Sequence, residues 1–272
     1  MKTRSSKRCM RAFLLAATGA SLLLAAQSRA QSAATSTTPA RASVLSGAPA
    51  TAASLPTVDQ VLNRYVQAIG GRDAWSKLHS RTSLGTIQMP SMHLTGTVMI
   101  HEKAPNKVLL VVILAGQTYR QGYDGSVGWS DDPENGTKEK SGAQLVEAAR
   151  DADFYRPLHM QKTYAKLAVT GEQKVGDRDA WQLRADLPEG GSDELFFDTQ
   201  TGLIVRAVSQ QHTDQGVQAV AEDFKDYREI DGVKLPFEVL QTNGDSTLTI
   251  SLGEVRHNVD LDDSEFAKPA VQ

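Results

Sequence analysis

The histidines come first among residues that could do chemistry, because neutral imidazole is the commonest protein ligand for metals. A His-x-His or His-x-x-x-His pair is the local signature of a zinc or copper site. None of the six histidines has another two, three or four residues away, so the spacing predicts scattered surface histidines and no metal site. They are His79, His93, His101, His159, His212 and His257.

Ser126 is the candidate nucleophile, because Gly125 and Gly128 flank it. A nucleophile elbow requires glycine two residues before and two residues after the serine, on a strand-to-helix turn of an α/β sheet. Asp124 occupies the first of these positions, and the surrounding pattern is all-β. We therefore predict no catalytic residue, and the absence of a Gly-rich phosphate loop or dinucleotide fingerprint predicts no cofactor.

Acidic residues form four groups that invite comparison with a glycosidase. Such an enzyme needs two carboxyl groups in a polar cleft whose apolar walls raise one pKa. The four groups lie in loops or beside turns, so we expect solvated faces. They are Asp131, Asp132 and Glu134; Asp151 and Asp153; Glu222, Asp223 and Asp226; and Asp260, Asp262 and Asp263.

The elements that must position these side chains are best defined between residues 94 and 133. From Leu94 to His101 apolar and polar residues alternate, as in a strand with two unlike faces. Pro105 and Asn106 end that strand, because proline lacks a ladder N–H and asparagine favours turns. Residues 108 to 114 follow without a polar residue, so both faces of this strand must be covered.

The order of these pieces resembles the periplasmic lipoprotein carriers LolA and LolB. The matching features are Gly96, Lys103, Pro105-Asn106, the strand of residues 108 to 114, Asp124-Gly125, Trp129, Asp132-Pro133, Phe196-Phe197-Asp198, Gly202-Leu203, and Asp260 to Pro269 with Phe266. The resemblance implies a mainly β (α+β) fold, an incomplete antiparallel β-barrel with helices covering a concave, dry cavity for acyl chains. The carriers have a functional arginine before the Pro-Asn turn, where this chain has Ala104.

Periodicity indicates the remaining elements. Thr57 and Gln60 have the spacing of a capping box, and helical spacing continues to Ile69. Two further helices are expected near residues 72 to 78 and 141 to 155. Short hairpins join about ten or eleven strands, and three helices are too few to cover both faces of so long a sheet. A half-barrel with helices inside it satisfies both counts.

The N-terminus predicts secretion. Basic residues precede an apolar run, so residues 1–30 are expected to be a signal peptide cut after Ala30, which removes the only cysteine, Cys9. The run is shorter than the ~20 residues that span a bilayer, which argues against a stable transmembrane anchor. Residues 31–55 are expected to be a disordered Ala/Ser/Thr/Pro-rich tether and residues 56–272 one half-barrel domain. Cleavage removes six basic residues and changes the formal charge from −3 to −9, which disfavours nucleic acid as a partner.

The predicted function is therefore a periplasmic carrier or sensor whose partner is a lipid or lipoprotein acyl chain. An envelope protein-binding module without a lipid ligand is the alternative, and a hydrolase would need a site assembled from distant residues. Met89, Met92 and Met99 suggest an adaptable apolar surface. The residues predicted to line the hydrophobic cavity are Leu62, Ile69, Met89, Met92, Met99, Leu109, Val111, Ile113, Trp129 and Leu145.

Overall fold

The computed structural model describes residues 54–213, 216–244 and 246–270. The predicted signal peptide, its cleavage site and all but the last two residues of the predicted tether lie outside these ranges. No helix within them is long and apolar enough to cross a membrane.

In the described part of the chain, thirteen antiparallel strands form one sheet in the order β6-β5-β4-β3-β2-β1-β13-β12-β11-β10-β9-β8-β7. β6 and β7 are the two ends of this order, so the sheet is not closed. The fold class predicted from sequence is confirmed, with the additional strands β4 and β6. The strands are β1 Ser80–Met89, β2 Leu94–Lys103, β3 Lys107–Leu114, β4 Gln117–Tyr123, β5 Gly128–Asp132, β6 Gly136–Glu139, β7 Lys166–Val175, β8 Arg178–Asp186, β9 Ser192–Asp198, β10 Ile204–Thr213, β11 Gly216–Ile230, β12 Val233–Asn243 and β13 Ser246–His257.

The helices are α1 Val58–Ala68, α2 Gly71–Trp75, α3 Gly142–Asp151 and α4 Met160–Thr163, and short 3-10 turns span Pro90–Met92, Arg156–Leu158 and Asp263–Phe266. The predicted capping box is confirmed: the backbone N–H of Gln60 donates to Thr57 Oγ1 at 3.2 Å, and the Thr57 N–H donates to Gln60 Oε1 at 2.8 Å. These bonds satisfy free N–H groups at the start of α1.

The inner face of the sheet carries the helices. The apolar side of α1 is buried, and its Tyr65 meets Phe197 of β9 edge to face at 5.3 Å between ring centroids. α3 contacts both halves of the sheet: Leu145 and Ala148 pack against Gly128 of β5, and Glu147 accepts hydrogen bonds from His212 of β10. The helices thus enclose space between themselves and the sheet.

The C-terminal segment, residues 260–268, packs on the outer face. Phe266 is fully buried there, and Trp129 Nε1 donates to the Phe266 carbonyl at 2.9 Å. Lys103 Nζ donates to the Leu261 carbonyl at 2.6 Å and to Asp263 Oδ1 at 2.8 Å. The neighbouring ammonium groups lower the pKa of Asp263 to about 2. We call this segment the C-terminal strap.

Candidate functional site

A cavity of about 330 Å³ lies between the helices and the inner face of the sheet. The apolar residues of its wall come from α1 and α2, from the segment between α3 and α4 together with the start of α4, and from strands β9 to β12. The apolar residues that line it are Tyr65, Ile69, Trp75, Phe154, Pro157, Met160, Leu195, Ile204, Ala207, Phe224, Tyr227, Leu235 and Pro236. This volume falls in the range of small-molecule sites, which begins at about 300 Å³.

One end of the cavity is polar. Arg156 Nη1 donates to Asp151 Oδ1 at 2.7 Å, and the Asp151 side chain is only 8% exposed. Gln241 Nε2 donates to Glu222 Oε1 at 2.7 Å, and Glu222 lines the cavity from β11. Because burial penalises a charged group unless it is fully paired, these carboxyl groups lower the stability of the folded protein when they are ionised.

A third carboxyl group lies behind them. Tyr164 Oη donates to Asp193 Oδ2 at 2.8 Å, and Asp193 is fully buried. Burial raises the pKa of the Tyr164 phenol, and the nearby Asp193 raises it further. The phenol therefore stays protonated and holds this carboxylate in place.

Desolvation sets the protonation states of the polar end. Burial raises the pKa of Asp151, although Arg156 and Arg150 oppose the shift. Burial likewise raises the pKa of Glu222; the hydrogen bond from Gln241 and the charge of Arg156 oppose the rise, and the charges of Asp151 and Asp193 add to it. Strongly perturbed groups in a cleft mark candidate functional sites.

Local sequence explains why Glu222 faces inward. Val220, Glu222 and Phe224 alternate along β11, and Glu222 pairs with Gln241 of β12 and Ala207 of β10. Side chains two apart in a strand share a face. This alternation is a sequence signal for burial of Glu222, and the neighbouring Asp223 hides it by making the segment resemble a solvated acidic run. The expectation of solvated faces is wrong for Asp151 and Glu222.

Five of the ten predicted lining residues lie on the inner side of the sheet or on the helices. Ile69 lines the cavity, and Leu62 belongs to the apolar cluster around it. Met89 and Met92 join a second inner cluster with Leu114 and Leu248, away from the cavity. Leu145 packs on Gly128 under α3.

The other five lie on the outer face, and their predicted place in the cavity is corrected. Val111 pairs with Met99, whereas the inward residues of β3 are Leu110, Val112 and Leu114. Trp129 lies beside Gly122, where a Cβ would collide with its ring, under the C-terminal strap. The residues concerned are Met99, Leu109, Val111, Ile113 and Trp129. A strand with no polar residue carries no period-2 signal, so the sequence could not show which alternate set faces inward.

Three other candidate groups have structural partners. Ser126 Oγ donates to Asp124 Oδ1 at 2.9 Å within a turn. His257 is not on the surface: its side chain is 1% exposed and its Nδ1 lies 3.0 Å from Asp231 Oδ2. Lys103, next to the position of the carriers' arginine, is held by the C-terminal strap. Within the described ranges no three His, Asp or Glu side chains form a group that could hold a metal ion.

The raised pKa of Glu222 makes a prediction for stability against pH. The pKa of this carboxyl group is higher in the folded protein than its unfolded value of 4.5. Such a group lowers the free energy of unfolding of the protein as pH rises above the unfolded value. Glu222→Gln removes this loss. We expect the variant to melt a few degrees higher than the wild type at pH 7, with the difference vanishing below the unfolded pKa, since ~1 kcal/mol corresponds to about 2 to 4 °C at this size.

Thermal melts across this pH range test the prediction. Glu238→Gln is the matched control, because Glu238 is paired at 3.5 Å with the exposed Lys225 outside the cavity. A lower melting temperature for Glu222→Gln at pH 7 would show that the Glu222 carboxylate is favourably paired in the folded state.

The fold defines the class of protein: an incomplete antiparallel barrel with helices on its concave side. The sequence matches no family model and no curated protein. Similar solved structures include a DUF1329 family protein from Desulfovibrio piger, at 16% identity and a TM-score of 0.52, covering 77% of this chain and 97% of that one. A LolA superfamily protein from Nitrosomonas europaea has 12% identity and a TM-score of 0.52, covering 79% and 99%.

A third similar structure is an outer membrane lipoprotein-sorting protein domain from Vibrio parahaemolyticus. It has 11% identity and a TM-score of 0.50, covering 76% of this chain and 94% of that one. The protein therefore has a LolA-like fold, as the order of its sequence motifs predicts.

Proposed function

We propose that this protein is a periplasmic, non-catalytic carrier or sensor that binds lipid or lipoprotein acyl chains in the inner cavity. The observation that carries this proposal is the cavity itself, enclosed by helices in a LolA-like half-barrel and walled mainly by apolar side chains. Each buried CH₂ group contributes about 0.8 kcal/mol, so one chain of medium length gives useful affinity.

Native mass spectrometry tests the proposal. The full chain is expressed with its own N-terminus in a bacterium, purified gently from the periplasm, and its bound material is extracted. We expect the mass of a chain that begins at Gln31, with a lipid or acylated peptide bound at near-unit stoichiometry. A protein that is purified without a bound ligand and takes up no added lipid would contradict the proposal.

Filling the cavity provides a second test. Ala207 is buried, lines the cavity and lies on the inner face of β10, so Ala207→Trp places an indole where the acyl chain would lie. We expect lipid affinity to fall at least about tenfold, because ~1.4 kcal/mol of lost burial is already a factor of ten. Ala221→Trp is the control, since Ala221 pairs with Val208 on the other face. Titration with a fluorescent fatty acid measures both, and equal affinities would place the ligand elsewhere.

The second candidate function is contact with another envelope protein through the outer face. Leu84, Met99 and Val111 form a row across β1, β2 and β3, and Leu84 and Ile113 are 46% and 47% exposed. Contiguous exposed apolar side chains mark interaction surfaces. Co-purification of a protein partner that is lost in Ile113→Glu, with no lipid in the extract, would favour this function.

A further inference from the structure

The polar end of the cavity suggests which chemical group the ligand carries; this inference rests on the proposed function. An acyl chain alone needs no buried charge, and a buried polar group that is left incompletely paired lowers stability. Asp151 and Glu222 nevertheless line the cavity from opposite sides, one on α3 and one on the sheet. Groups that cost stability and lie in a cleft are candidates for function.

Two carboxyl groups at this end have acceptor capacity that no protein donor in the described part of the chain uses. Asp151 Oδ2 is buried and has no hydrogen-bond partner among the described residues, while Asp151 Oδ1 accepts from Arg156 and lies 3.7 Å from Arg150 Nε. Glu222 receives one hydrogen bond, from Gln241, and forms no ion pair with a basic side chain of the described ranges. Each carboxylate oxygen can accept about two hydrogen bonds, so acceptor capacity exceeds the donors present.

Two of the three basic groups that line the cavity are paired with carboxylates. Arg156 is paired with Asp151, and Arg81 forms a bidentate pair with Glu102 at 2.5 and 2.6 Å. Arg81 Nη1, which carries two N–H groups, has no hydrogen-bond partner among the described residues, and the Arg81 guanidinium lies 5.8 Å from the centre of the Phe154 ring. The lining as a whole has four carboxylates and three basic groups, an excess that favours a cation over an anion.

We propose that the cavity recognises the protonated amine of an amphiphile, with the ammonium group between Glu222 and the unpartnered Asp151 Oδ2 and the alkyl chain along the apolar wall. A primary ammonium group has three N–H donors and no acceptor, which complements two carboxylates. Hydrogen bonds between charged partners are shorter and about twice as strong as neutral ones. In the complex the ammonium group supplies donors to acceptor positions that have no donor in the empty cavity.

Three ligands with the same chain length and different head groups test this proposal. Dodecylamine, dodecanol and dodecanoate are titrated at pH 7 against the full secreted protein, below their micelle concentrations and in about 0.15 M salt, where exposed charges are screened. We expect dodecylamine to bind at least about tenfold more tightly than either of the others. Glu222→Gln should remove most of that preference, and Glu238→Gln should keep it.

The ranking in the wild-type protein decides the proposal even if a variant folds poorly. Equal affinity for all three ligands, or preference for dodecanoate, would overturn amine recognition and leave the lipid-binding function standing. Binding of none of them would overturn both. Ala207→Trp distinguishes binding in the cavity from attraction of dodecylamine to the acidic surface. Amine binding that persists in this variant, whose cavity is filled, would also overturn the proposal.

Discussion

Replacing Phe266 by alanine is expected to lower the free energy of unfolding by about 3 to 5 kcal/mol, the usual cost of removing a fully buried phenyl group. Phe266 is 0% exposed and ends the 3-10 turn of the C-terminal strap. A capping box formed by Asp262 and Glu265 fixes this turn, and Trp129 binds the Phe266 carbonyl. Loss of the phenyl group therefore leaves a cavity against the sheet and weakens the contact that holds the buried Trp129.

Urea unfolding followed by tryptophan fluorescence measures this change. The control is Lys268→Ala in the same strap, where a surface ion pair with Glu139 contributes no more than about 1 kcal/mol. Because the strap packs on the outer face, Phe266→Ala should keep its relative affinities for the three dodecyl ligands under conditions where it is folded. A loss for Phe266→Ala no larger than that for Lys268→Ala would show that the strap is peripheral to folding.

Local signals account for most of what the sequence predicted. The Thr57 capping box, the turns at Asp124-Gly125 and Asp231-Gly232, and the alternating strands each depend on a few neighbouring residues. Strands β4 and β6 are not predicted from the sequence, and the four residues of β6 have no apolar alternation. The order of turns was sufficient to predict a LolA-like half-barrel, since hairpins fix which strands are neighbours.

The composition of the cavity depends on contacts between distant residues. Asp151 and Glu222 are 71 positions apart and come together because α3 packs across the sheet to β10. An acidic residue within a polar run gives no local sign of burial, so the sequence predicts a solvated position for both. The sequence predicts a hydrophobic lining, yet only Ile69 of the ten predicted residues lines the cavity.

The two faces of β3 provide the sharpest test of this geometry. Val112 is 1% exposed and packs in the inner cluster with Val98, whereas its neighbour Val111 is partly exposed on the outer face, opposite Arg120. Val112→Asp buries a carboxylate without a partner and is expected to lower the free energy of unfolding by more than about 4 kcal/mol. Val111→Asp places the same group beside a guanidinium at the surface, and we expect a loss below about 1.5 kcal/mol.

The pair is matched because it introduces the same side chain at adjacent positions of one strand, so differences in β propensity cancel. Urea midpoints give the two stabilities, and the affinity of Val111→Asp for dodecanol should stay within about twofold of the wild type, since this residue faces away from the cavity. If Val111→Asp were the more damaging variant, or abolished binding, the register of β2 with β3 would place the opposite set of side chains inside. The inner side of the sheet would then carry Met99, Leu109, Val111 and Ile113, as the sequence alone predicts.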